Sequence, residues 1–137
     1  MSRHGSVKIK CVIETKVEKE IEMVKFGEGL VITKYHPIYF NNQWRFPIDV
    51  APIVKKYISA YYNFVLDRQH SMVVNGIACI TLGHGIQEKV ANHSYFGSEL
   101  IIRDLQKIRG WEKGLIQLPR EAFKRSPSTH EVVGIIV

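Results

Sequence analysis

The sequence is poor in the features that most readily announce a function. It holds two cysteines, Cys11 and Cys79, in 137 residues. With no apolar leader at the N-terminus, these read as free thiols, not as a disulfide framework, and the expected compartment is the cytosol. No apolar run approaches the roughly 20 residues that a helix needs to cross a bilayer, so no membrane partner is expected. The histidines form no H-E-x-x-H, and C-x-x-C is missing, so a metal site is only weakly signalled. Gly27-Glu28-Gly29 lacks the third glycine and the βαβ setting of a dinucleotide loop, and Gly83-His84-Gly85 is not followed by the Lys-Ser/Thr of a P-loop. There is no G-x-S-x-G for a hydrolase elbow. No cofactor is therefore expected. Internal repeats and low-complexity tracts are absent as well.

Concentrated charge is also lacking. The net charge is +6, but the bases are scattered, the densest group being Lys113 to Arg125, and there is no aromatic-interleaved basic stripe of the kind that binds single-stranded nucleic acid. The charge reads as a solvated surface, and nucleic acid is not an expected partner. The apolar and charged fractions, 45% and 23%, are those of an ordinary globular chain long enough for one domain.

What is present is β-rich. Val7 to Val17 alternates, with Val7, Ile9, Cys11 and Ile13 on one face, which predicts a strand in which Cys11 is a small core residue. Lys16 to Lys25 reads as a second strand after a charged turn, ended at Gly27 and Gly29. Leu30 to Thr33 is a short buried strand running into His36-Pro37, and the proline holds His36 extended. Asn41-Asn42 predicts a hairpin turn, with Trp44 and Phe46 on one face. Residues 53–60 fit either helix or strand. Tyr61 to Leu66 and Met72 to Leu82 read as a hairpin joined by the turn Asp67 to His70. Ser98 predicts the cap of a helix over 98–109, with Gly110 ending it. Residues 111–118 and 132–137 read as loop and short strand, and Arg120 to Glu131 as exposed. The fold class expected is all-β with one C-terminal helix.

Four histidines, His36, His70, His84 and His93, fall at or beside strand and turn ends. Imidazole is the side chain best suited to moving protons near neutral pH, and such ends let it face a cleft. Each taken singly is more readily a structural or surface histidine than a catalytic one, and a small metal-binding domain built on these four is a further reading.

An ordered set of motifs goes further: Thr33-x-x-His36-Pro37-Ile38, Trp44-x-Phe46-Pro47, Tyr62-Asn63-Phe64-Val65-Leu66-Asp67 followed by His70 and Val73-Val74-Asn75-Gly76-Ile77, Leu82-Gly83-His84-Gly85, and His93-x-Tyr95-Phe96-Gly97. Over about residues 7–118 this set resembles the self-processing Hint domains of inteins and hedgehog proteins, and most closely their Vint subgroup. Residues 119–137 are then a C-terminal extension that can add a strand. The resemblance implies autocatalytic peptide-bond cleavage at the N-terminal junction through an N-to-S acyl shift. His36 would be the general acid on the amide nitrogen, and Thr33 would orient it or bind the scissile peptide. Asp67 and His70 would support the second half of the site, His84 would assist thioester resolution, and Cys79 would be a second-site thiol or a buried strand residue. The substrate would be the chain's own flanking polypeptide, and the full protein would carry von Willebrand factor A or ubiquitin-pathway modules. Two departures follow. His84 is followed by glycine and not asparagine, so no side-chain amide is available for intein-style splicing. The expected first-position cysteine is also missing, which predicts an absent N-terminal segment, supplied by a partner fragment, or else a catalytically silent remnant that serves as a protein-interaction module.

Overall fold

The computed structural model describes residues 8–26, 29–67, 71–129 and 131–136. Among them the chain is all-β with a single α-helix. Its spine is the 18-residue strand β1 (Ile9–Phe26), paired antiparallel along most of its length with β5 (Ile53–Leu66). The opposite edge of β1 is shared. Strand β8 (Leu115–Pro119) pairs parallel with Val12 to Lys16, and β2 (Leu30–Ile32) pairs antiparallel with Val24 to Phe26.

The charged stretch around Lys16 does not end β1. One extra residue is absorbed as a bulge between Lys16 and Lys19, where Glu18 takes a φ of +53°, and the strand bends and continues. A second register shift between Ile9 and Cys11 separates two residues expected on one face: Ile9 is 49% exposed, whereas Cys11 is fully buried. The open choice at residues 53–60 resolves to strand, because this stretch lies against the long alternating edge of β1.

The second sheet runs β4-β3-β7-β6, built from β3 (Ile38–Phe40), β4 (Gln43–Arg45), β6 (Ser71–Val74) and β7 (Ile77–Ile80). The Asn41-Asn42 turn closes β3 on β4 as expected, with φ of +51° and +65°. The expected hairpin between residues 61–66 and 72–82 does not form. β5 pairs with β1, and the later stretch folds on itself at Asn75-Gly76 into β6 and β7, where Asn75 takes a φ of +48°. An Asn-Gly pair is the stronger hairpin signal. It wins over the turn at 67–70.

Helix α1 (Glu99–Gln106) is capped by Ser98, whose Oγ accepts from the Leu100 N–H at 3.2 Å. It buries Ile101 and Leu105 against Cys11, Ile13, Val65, Ile116 and Leu118. Each large aliphatic side chain so enclosed contributes about 1.5–3 kcal/mol. The expected exposure of 120–131 is only partly met: Ala122 is buried in this core, and β9 (Phe123–Arg125) pairs with β10 (Val132–Ile135), which adds Val132 to it. A second core, of Val24, Leu30, Ile32, Ile38 and Cys79, lies where β1, β2, β3 and β7 meet.

Candidate functional site

The T-x-x-H segment is the link between β2 and β3, and it is held from three sides. The His36 N–H donates to the Thr33 carbonyl at 3.4 Å, closing a turn. The Lys34 carbonyl accepts from Ile48 N–H at 3.2 Å, and the Tyr35 ring meets Phe46 edge-on at 5.5 Å. The Trp-x-Phe-Pro motif thus has a structural use: Trp44 packs edge-on to Tyr39 at 5.3 Å, Phe46 braces the His36 turn through Tyr35, and Pro47 is buried at the start of a 3-10 turn.

His36 reaches across to β7. Its Nε2 lies 2.9 Å from the carbonyl oxygen of Ile80, while Ile80 N–H donates to the Pro37 carbonyl at 3.0 Å. A ring nitrogen facing a carbonyl must carry its hydrogen, so Nε2 is the protonated nitrogen and Nδ1 the basic one. Protein atoms crowd the ring although part of its surface stays accessible, and this desolvation pushes its pKa below the ordinary 6.5 against the opposing effect of the Ile80 bond. The imidazole is neutral at pH 7.

Two regions far apart in sequence are joined here. Asn75, in the β6–β7 turn, donates from Nδ2 to the Gly29 carbonyl just before β2. Cys79 pairs across to Ile38, one residue from Ile80. Its thiol is buried in the second core, and burial pushes it up to about 11. Cys11 is likewise buried and its thiol raised. At neutral pH both are thiols and not thiolates, and the thiolate is the attacking species.

The remaining candidates are spread out. Asp67 is exposed at the end of the β1–β5 pair, where its Oδ1 accepts from Lys8 N–H at 3.0 Å. His70 lies outside the described residues. His84 is buried in the irregular stretch between β7 and α1, and its Nδ1 accepts from Ile86 N–H at 2.8 Å. Irregular connections of this length in a compact domain are uncommon. Among the described residues no three His, Cys, Asp or Glu side chains are placed to hold a metal ion, and no helix is long and apolar enough to cross a membrane. Two shallow grooves run along β8, lined by residues such as Arg109, Gly110, Lys113 and Arg120, and contain none of the candidate residues.

Sequence reasoning named His36 but not its partner, since a backbone carbonyl such as that of Ile80 leaves no mark in a sequence. It also left Gly97 and the turn around it without a use, although the aromatic pair and glycine after His93 were a visible signal.

The sheets and the histidine turn held between strand ends define an all-β domain with a single α-helix among the described residues. The Vint family, described as a Hint domain, matches residues 1–134, so the chain belongs to the Vint family. No curated protein matches the sequence.

Burial of neutral imidazoles has a consequence for stability. The folded pKa of His36 and of His93 lies below 6.5, in both cases chiefly through desolvation. As pH falls through 6.5, the unfolded chain takes up protons that the folded imidazoles resist. Stability is therefore complete above 6.5 and is lost as pH drops towards the folded values. The lowered carboxylates Glu14 and Glu22 act only below their own ordinary value of 4.5, leaving the window between to histidine. Urea midpoints should fall between about pH 7.5 and 5.5, and the fall should be smaller in His36→Gln. An unchanged slope in that variant would remove His36 as a contributor.

Proposed function

We propose that this domain carries the proton-transfer part of a self-processing site that cleaves the peptide bond at its N-terminal junction by an N-to-S acyl shift. The observation that carries this reading is the His36 geometry: a neutral, partly accessible imidazole at the end of β2–β3, fixed by Ile80, with Nδ1 left basic. In the proposed step a cysteine sulfur attacks the carbonyl carbon of the preceding residue. Its proton passes to Nδ1 of His36. The C–N bond breaks, and the imidazolium, made a stronger acid by its desolvated setting, returns the proton to the departing nitrogen. A thioester and a free amine result, and the proton count is unchanged. Thr33 holds the His36 turn. His84 serves the later resolution of the thioester, and Asp67 and His70 support that half.

Because Cys11 and Cys79 are both buried thiols of raised pKa, the nucleophile is proposed to come from a separate segment, joined before Met1 or supplied by a partner fragment. The same observation favours the second reading, a silent Hint domain kept as an interaction module. The coding region upstream of Met1 separates the two. If it holds an in-frame cysteine and some two strands of sequence, that segment is expressed with this chain behind a reporter and treated with dithiothreitol. Release of the reporter at the junction is the expected result. Intact fusion after prolonged thiol or hydroxylamine treatment would leave the interaction module standing.

A further inference from the structure

His84, whose Nδ1 accepts from Ile86 N–H, is also seated against a neighbouring turn. Its backbone neighbours are fixed on both sides by one short turn: Gly83 N–H donates to the Phe96 carbonyl and Gly85 N–H to the Gly97 carbonyl, each at 2.8 Å. The ring lies directly against the backbone of Gly97, for a Cβ there would stand 2.8 Å from His84 Cε1 and 3.0 Å from Nε2. Such distances leave no space for any side chain at 97.

The turn that makes this platform is closed by His93. Its Nδ1 accepts from Tyr95 N–H at 3.1 Å and from Phe96 N–H at 2.9 Å, and its carbonyl accepts from Gly97 N–H at 3.0 Å. The His93 ring also packs on Phe96, with centroids 4.8 Å apart. We infer that His93 is a positioning residue for His84, acting through the platform formed by residues 95–97. The role rests on the place given to His84 in the proposed self-processing site.

Two acceptor bonds at Nδ1 exist only while that nitrogen is unprotonated. Protonating His93 breaks the cap and loosens the platform, so the seating of His84 depends on pH. The groups facing His93 are Glu131, which favours the charged form, and Arg125, which opposes it; burial opposes it most. On the helix side the Tyr95 hydroxyl is already committed to Asp104 at 2.6 Å.

Nuclear magnetic resonance titration of the intact wild-type chain with labelled histidine tests this without any cleavage. The Tyr95 and Phe96 amide signals and the His84 ring signals should share an inflection at the His93 midpoint, below pH 6.5. In His93→Asn, whose side-chain oxygen accepts from the same amides, that inflection should vanish while the His84 signals keep their high-pH positions. In His93→Ala they should shift. His84 signals with no inflection at the His93 midpoint in the wild-type chain would overturn the assignment, whether or not the variants fold. Loss of cleavage in His84→Ala is a separate matter. It tests the function of His84 and leaves the positioning result untouched.

Discussion

If the proposed self-processing holds, replacing His36 by glutamine should lower thiol-induced release at the N-terminal junction by roughly 10²–10⁴-fold, the usual contribution of a positioned acid–base group, while the domain stays folded. Glutamine is the informative choice because its amide donates a hydrogen bond, so the Ile80 carbonyl, met by His36 Nε2 at 2.9 Å, keeps a partner. Alanine would leave that acceptor unsatisfied at a cost of about 1–3 kcal/mol, and a lost activity would then be confounded with a loosened β3–β7 junction. The pH profile adds a second signature. The basic Nδ1 must be free to take the thiol proton, so cleavage should fall as His36 becomes protonated, at a pH below the ordinary imidazole value. Tyr35→Phe is the control, since Tyr35 is 62% exposed in the same turn and the change keeps the ring that meets Phe46 while removing only a hydroxyl with no proposed role. Equal release from His36→Gln and the wild type, at matched circular dichroism, would remove the proton-transfer role.

The fold was legible in the sequence wherever one physical signal dominated. Alternation at Cys11 and Ile13 marks a strand with both side chains inside, and Ser98 marks the start of the helix, which ends at Gln106, short of the stop expected at Gly110. Asn41-Asn42 marks a turn through residues that tolerate positive φ. Signals failed where two local readings competed and a distant partner decided. Residues 61–66 have strong β character, but nothing in them says that their partner is β1, some fifty residues earlier, and not the strand immediately after. The charged run at Lys16 to Glu20 resembles a turn, and only the unbroken length of β5 opposite makes it a bulge. The candidate site divides the same way. Residue types chosen for their chemistry, such as Thr33 and His36, are visible as motifs. The backbone carbonyls of Ile80, Phe96 and Gly97 that orient the imidazoles carry no residue code, and the burial that raises the Cys79 thiol depends on β3 and β7 lying together.

Gly110→Ala should destabilise the domain by roughly 4 kcal/mol or more, at the extreme of single substitutions. Gly110 lies past the end of α1 with a φ of +107°, a backbone conformation that costs an L-residue about 1–3 kcal/mol. The larger cost is steric. A Cβ at this position would lie 2.0 Å from the Leu115 carbonyl oxygen and 3.1 Å from its carbon, which is backbone and has no rotamer to change. The neighbouring chain cannot simply withdraw. Leu115 N–H donates to the Gly110 carbonyl at 3.1 Å, and Leu115 opens β8, in register with Val12 of β1. The next residue, Ile116, is fully buried in the main core with Leu118 two residues on. Relief of the clash must therefore tilt β8 off β1, open the cavity that Ile116 fills, or unwind the 3-10 turn Trp111–Lys113 that begins at Gly110. Any of these takes a large share of the roughly 5–15 kcal/mol that holds a small domain folded. Gly134→Ala supplies the comparison, because a Cβ there meets nothing within 4 Å, and its effect should stay within about 1 kcal/mol of the wild type. Urea unfolding followed by circular dichroism measures both. A Gly110→Ala midpoint close to that of Gly134→Ala would mean that β8 can move away from the α1 end without disturbing its pairing to β1, and the tight closure described at Gly110 would be wrong.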